Sequence, residues 1–172
     1  MKLTFRECIT DDLETLRALS ISTFTDAFGS VNTPDNLKAY LDQAFNRDKL
    51  LDELLNPLAL FYFVYADGEL SGYIKINEFG AQTDIHDPKS LEIERIYVKK
   101  EHQRLGLGTA LIGKAIEHAN ARGNSYLWLG VWDKNEKAIR FYKKEGFYRI
   151  GAHPFYLGED HQTDYILRKD LV

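Results

Sequence analysis

Leu3 and Phe5 alternate with polar neighbours and predict a short opening strand. Thr10, Asp11 and Asp12 mark a helix start with acids in its first turn. Leu13, Leu16, Leu19, Phe24 and Phe28 then recur at helical spacing until Gly29-Ser30. Pro34 opens a second helix, with Leu37, Tyr40, Leu41, Ala44 and Phe45 on one side, and residues 48–55 add a further helical stretch. The period then changes. Residues 58–66 are apolar and aromatic, Asp67-Gly68 is a hairpin signal, and residues 70–77 return. A polar loop over 78–89 leads into an apolar strand at 91–98. Residues 109–122 predict a helix with Leu111, Ile112, Ala115, Ile116 and Ala119 as its buried stripe, closed by Gly123. A strand over 126–132, a helix over 135–145 and an antiparallel pair, 147–156 with 163–169, complete the chain. Strand, crossover helix and strand across 91–132 predict one right-handed parallel β-α-β unit. The fold class is α/β, a mixed and mostly antiparallel sheet with helices on both faces.

At 172 residues the chain has room for one domain, 1–172, with a substantial core. No run approaches the ~18 apolar residues of a membrane span, and the N-terminus lacks an apolar leader core. A cytoplasmic protein with no membrane partner is expected. Cys8 is the single cysteine, which excludes an internal disulfide and a cysteine-based zinc cluster, and no metal is expected. The net charge of −4 is unevenly spread, with residues 1–56 at −4 and residues 91–122 at +2. That division suits an anionic ligand on the second half and a cationic one on the first. The overall sign argues against nucleic acid as a partner. A homodimer stands as an open expectation.

Three chemical features stand out. The first is Gln103-Arg104-Leu105-Gly106-Leu107-Gly108-Thr109, a glycine loop between a strand and a helix. Its backbone N–H groups can converge on a pyrophosphate, the glycines permit close approach, and the helix N-terminus adds partial positive charge. The second is Glu92 and Glu94, two carboxylates on one face of an otherwise apolar strand. Buried acids are costly unless paired, so they are either base candidates or partners of a nearby cation. Leu91 and Ile93 are out of phase with Ile96 and Val98, which predicts a bulge near 94–96. The third is Asn135 with Tyr142, seven residues apart and so on one helix face, offering an amide to orient a ligand and a phenol to protonate a leaving thiolate. His153 and His161 are expected at the surface or in structural roles, and Cys8 is a poor nucleophile candidate.

Residues 91–109, the strand 126–132 and the run Asn135–Phe147 together resemble the GNAT superfamily of N-acetyltransferases. The loop matches its pattern R/Q-x-x-G-x-G/A, and Asn135 through Phe147 matches N-x-x-A-x-x-x-Y-x-x-x-G-F. The resemblance implies acetyl-CoA as co-substrate, with residues 57–172 as the cofactor-binding core and 1–56 as the substrate side. It implies that backbone groups of Ile96, Tyr97 and Val98 pair with the pantetheine arm. It also implies that Arg104 to Thr109 hold the pyrophosphate, with Gln103 opening that loop, and that Asn135 orients the pantetheine or thioester. Tyr142 would act as the acid, Glu92 or Glu94 as the base, and Lys144 would reach the CoA phosphates. The acidic first half points to a polyamine acceptor such as spermidine or spermine. The alternatives are a protein amine, an aminoglycoside, or a non-catalytic acetyl-CoA-binding regulator.

Overall fold

Alternating side chains along the strands sort the core into two layers, one on each side of a single seven-stranded sheet. The structure is a computed structural model describing residues 1–172. The strands are β1 (Leu3–Glu7), β2 (Ala59–Ala66), β3 (Glu69–Glu78), β4 (Ser90–Val98), β5 (Tyr126–Trp132), β6 (Tyr148–Leu157) and β7 (Asp160–Asp170). Their order is β1-β2-β3-β4-β5-β7-β6, and every neighbouring pair is antiparallel except β4 with β5. The helices are α1 (Leu13–Phe28), α2 (Pro34–Ala44), α3 (Arg47–Leu55), α4 (Leu107–Ala121) and α5 (Glu136–Lys144).

Phe61, Phe63 and Tyr73 point to one face of the sheet, where Leu13, Leu16 and Leu19 of α1 and Leu50 of α3 cover them. Val64, Ile74, Ile76, Leu91, Ile93, Leu127 and Leu129 point to the other, under Leu111, Ile112, Ala115 and Ala119 of α4 and Tyr142 of α5. Pro34 starts α2, with Thr33 as its cap accepting from Asn36 N, and Asn46 caps α3 by accepting from Asp48 N and Lys49 N. Such caps contribute ~1 kcal/mol each.

The bulge expected near residues 94–96 is present. Arg95 pairs with Lys75 and Ile93 with Ile76, so Glu94 is the extra residue of β4. The consequence is a local change of phase. Glu92, Glu94 and Arg95 all face the α1–α3 side, and Ile96 and Val98 return to the α4 side.

Element ends differ from expectation in two places. Helix α4 begins at Leu107 rather than 109, because Gly106 takes the left-handed conformation (φ +83°) and serves as its N-cap. Strand β7 begins at Asp160 rather than 163, because polar residues 160–162 pair across a tight turn at Gly158-Glu159 and carry no apolar alternation.

Candidate active site

Parallel pairing between β4 and β5 runs only from Ser90–Tyr126 to Ile93–Leu129. Beyond that point the strands are unpaired, so the β5-side backbone edge of Glu94–Val98 is open. A cleft of about 1120 Å³ opens there, with walls drawn from both faces of the sheet.

The α4 end of the cleft is lined by Gln103, Arg104, Gly106, Leu107, Gly108 and Thr109. Arg104 (φ +65°) and Gly106 (φ +83°) are both left-handed, a turn that aims successive N–H groups inward. Ala110 N is the first to bond back, to Gly106 O at 3.1 Å, so the N–H groups of Leu107, Gly108 and Thr109 have no intrahelical partner. A Cβ on Gly108 would lie 2.9 Å from Phe141 Cζ, which explains the glycine by space. Lys100, Arg104 and Lys137 line this end. Orphan donors, a helix N-terminus and three cations fit a pyrophosphate. Gln103 braces the loop, its Nε2 donating to Val98 O at 3.2 Å and its Oε1 accepting from Lys137 Nζ at 3.5 Å.

Ile96, Tyr97, Val98, Asn135 and Tyr142 line the middle of the cleft. Asn135 Oδ1 caps α5 by accepting from Ala138 N at 3.2 Å, so only its Nδ2 is free to donate to a ligand. Tyr142 is buried against Phe141 and Phe147, with ring centroids 5.3 and 5.7 Å away. Burial raises its pKa, so the phenol keeps its proton.

The two glutamates differ in chemistry although both accept from Asn77 Nδ2, at 3.0 Å for Glu92 and 2.8 Å for Glu94. Glu92 is 2% exposed and also accepts from Thr83 N at 2.8 Å and from the Thr83 hydroxyl. It has no cationic partner, and burial raises its pKa against those hydrogen bonds. Glu94 is ion-paired to Lys75 at 2.7 Å and to Arg95 at 3.2 Å. Burial alone would raise it, but Arg95 and Lys75 prevail and hold it at about 2. Glu94 thus fits a fixed anion within the Glu53–Lys75–Glu94–Arg95 network, and the expectation that it serves as a base passes to Glu92 alone.

One further expectation changes. Lys144 is exposed and does not line the cleft, although its neighbour Glu145 accepts a hydrogen bond from the Thr109 hydroxyl. The side chain of Leu105 is half exposed and does not line the cleft, which leaves the backbone N–H as the part of this residue that the expectation concerns. His153, expected at the surface or in a structural role, lines the cleft and is paired with Asp84, with Asp164 beside it. Cys8 is buried, and burial pushes its thiol up to about 12, in keeping with an unreactive side chain.

The other end of the cleft lies over the α1–α2 side. Phe24, Phe28, Tyr40, Trp132 and Phe155 form its aromatic wall, with Phe24 stacked on Tyr40 at 4.4 Å and Phe28 edge-on to Trp132 at 6.3 Å. Asp26, Asp84 and Asp164 also line it.

Residues 20–147 match the model of the acetyltransferase (GNAT) family, and the chain belongs to that family. It is an acetyl-CoA-dependent N-acetyltransferase. It is 45% identical over 161 residues to an uncharacterized N-acetyltransferase of Lactobacillus delbrueckii subsp. lactis, covering 94% of this chain and 93% of that one. It is 23% identical over 151 residues to the spermidine N(1)-acetyltransferase of Thermoplasma acidophilum, covering 86% and 89%. The crystal structure of the PaiA N-acetyltransferase of T. acidophilum in complex with coenzyme A superposes with a TM-score of 0.81 at 22% identity, covering 99% and 100% of the two chains. That likeness extends the shared fold to the full sheet.

Proposed function

We propose that the chain transfers an acetyl group to a primary amine of a polyamine such as spermidine or spermine. The observation that carries this reading is the charge of the acceptor end. Asp26, Asp84, Glu92 and Asp164 line the cleft there against His153, while Glu94 is already paired with Lys75 and Arg95. Aromatic side chains line the same cleft as these acids, which suits a chain of methylenes punctuated by ammonium groups. The spermidine acetyltransferase of T. acidophilum is a distant relative that supports the same class.

The co-substrate supplies an activated acetyl thioester. The Leu107–Thr109 N–H groups and Arg104 hold its phosphates, and the open edge of Ile96–Val98 aligns its arm. Glu92 takes a proton from the acceptor nitrogen, through water, since its own oxygens are engaged by Asn77 and Thr83. Tyr142 gives its phenolic proton to the departing sulfur.

An amine panel with acetyl-CoA tests the acceptor. Spermidine and spermine should exceed a monoamine of equal length by ~10-fold or more in kcat/KM, because one further ammonium–carboxylate contact contributes about 1.4 kcal/mol or more. Turnover of only a lysine peptide or an aminoglycoside would discard the polyamine. Tight acetyl-CoA binding without turnover of any amine would favour a binding protein.

Glu92→Gln separates a base from a structural acid. A buried carboxylate with a raised pKa costs stability once ionised, so native stability falls as pH rises through that pKa. The amide can accept from Asn77 and Thr83 N and donate to the Thr83 hydroxyl. The variant should therefore melt no lower than the native protein at pH 7 while kcat/KM falls by ~10²-fold. A lower melting temperature with full activity would make Glu92 structural.

A further inference from the structure

The loop after β3 and the β6–β7 pair bring together three residues from distant parts of the chain. His153 Nδ1 lies 2.9 Å from Asp84 Oδ2, and His153 Nε2 lies 3.8 Å from Asp164 Oδ2. His153 and Asp164 are directly opposed across β6 and β7. The group stands over Gly130, the exposed β5 residue that continues beyond the last β4–β5 pair. A Cβ at 130 would lie 3.3 Å from His153 Nε2 and 3.4 Å from Asp164 Oδ2, so glycine keeps this side of the imidazole approachable. All four residues line the cleft. Asp84 directly follows Thr83, whose backbone and hydroxyl hold Glu92. One loop therefore fixes both Glu92 and the imidazole.

We propose that His153 is a second general base, taking the proton that the acceptor ammonium loses on becoming a nucleophile. The inference rests on acetyl transfer to an amine and needs no particular polyamine. An alkylammonium has three N–H bonds and its acetamide has one, so two protons must leave nitrogen. The first leaves before the lone pair can attack, the second as the C–N bond forms and the C–S bond breaks. Sulfur receives one proton from Tyr142. Two acceptors on the amine side and one donor on the sulfur side balance the reaction, with one net proton released to water. Glu92 alone, buried and fully hydrogen-bonded, would have to unload between the two events. His153 relieves it of the first.

Asp84 acts as a positioning residue. A carboxylate at Nδ1 holds the ring hydrogen there and leaves the Nε2 lone pair on the side of Gly130 and Asp164. The imidazolium formed would lie between two carboxylates, Asp84 and Asp164. Burial raises Asp164 to about 6 against the pull of His153, with Asp133 adding to the rise. The charged or titratable groups facing the ring or its carboxylates are Asp84 from the loop, with His86 acting on it, Asp164 from β7, Asp133 after β5, and Glu92 held by Thr83.

His153→Gln should lower kcat/KM by ~10²-fold at pH 7 with acetyl-CoA affinity unchanged. The loss should shrink as pH approaches the pKa of the acceptor amine, because free amine needs no first base. Asp84→Asn should reproduce the altered pH profile in weaker form. A His153→Gln enzyme with native kcat/KM at every pH would overturn the proposal. Nitrogen NMR of the histidine rings in the native enzyme provides a readout without turnover. His153 should carry its hydrogen on Nδ1 when neutral, and a hydrogen on Nε2 would overturn the proposal even if the variant fails to fold. Loss of turnover with every amine, beside the expected tautomer, would count against the acceptor class and not against the base.

Discussion

Tyr142→Phe should lower kcat by on the order of 10²- to 10³-fold while leaving the melting temperature and the affinity for acetyl-CoA nearly unchanged. The ring of Tyr142 is core: it packs edge-on to Phe141 and Phe147 under α4, and phenylalanine fills the same space. The hydroxyl is the part with no structural task, because it has no hydrogen-bond partner within the chain and faces the cleft. Removing it therefore costs little folding energy and takes away one proton donor. General acids contribute roughly 10²- to 10⁴-fold. A thiolate is a moderate leaving group, so the lower part of that range is expected.

The pH behaviour follows from the same burial. The phenol is held protonated by its apolar surroundings. Tyr142 should add no basic limb to the rate profile in the neutral range. A better leaving group gives a sharper test. An aryl thioester donor, whose thiolate needs no proton to depart, should narrow the gap between native enzyme and variant. Full activity of the variant with acetyl-CoA would end the assignment of Tyr142 as the acid. Equal losses with both donors would mean that the hydroxyl orients the thioester instead.

The parts of this site that were legible in the sequence are those that lie within one short segment. The cradle is contiguous, Gln103 to Thr109, and its glycines announce a turn whose Arg104 and Gly106 are indeed left-handed. The bulge was visible because the apolar phase of β4 slips between Ile93 and Ile96. The Asp84–His153–Asp164 group was not legible. Its members come from a loop and two strands, and they meet because β7 inserts between β5 and β6 in the sheet. Nothing in the local pattern around His153 reports that order. A hint was available in Gly130, a glycine inside an apolar strand, which often marks close approach of another group. Lys144 shows the converse failure. Its role was only implied by the resemblance, and its side chain is on the exposed face of α5, outside the cleft lining. The distinction between Glu92 and Glu94 also required the fold, since Glu53 of α3 and Lys75 of β3 meet only in three dimensions.

That meeting sets the largest expected effect on stability. Lys75→Met should destabilise the protein by roughly 3–5 kcal/mol at pH 7. Lys75 is 6% exposed at its side chain, contacts both Glu53 and Glu94, and lies 5.5 Å over the Phe61 ring. Methionine keeps most of the packing but leaves two largely buried carboxylates with Arg95 as their one remaining cation of the network, and only Glu94 keeps a further donor, Asn77 Nδ2. Glu53 Oε2 is already without a hydrogen-bond partner, so nothing nearby takes up the loss. The pH dependence has a definite sign. In the native protein Glu94 is held at about 2, below its ordinary 4.5. Its stabilising contribution is therefore present above pH 4.5 and is lost as pH falls toward 2. In the variant, the carboxylates gain by taking up protons in the folded state, and the deficit relative to the native protein should shrink between pH 7 and pH 4. Urea unfolding at the two pH values measures this directly. A deficit below about 1 kcal/mol at pH 7, with no change on acidification, would mean that water reaches the network and screens it. Glu94 would then return as a candidate base. A large deficit confined to neutral pH would fix it as the anion that, with Arg95, anchors the bulge. That bulge turns β4 away from β5 where the cleft begins, so the same variant should also lose acetyl-CoA affinity in proportion to the disorder it introduces along Ile96–Val98.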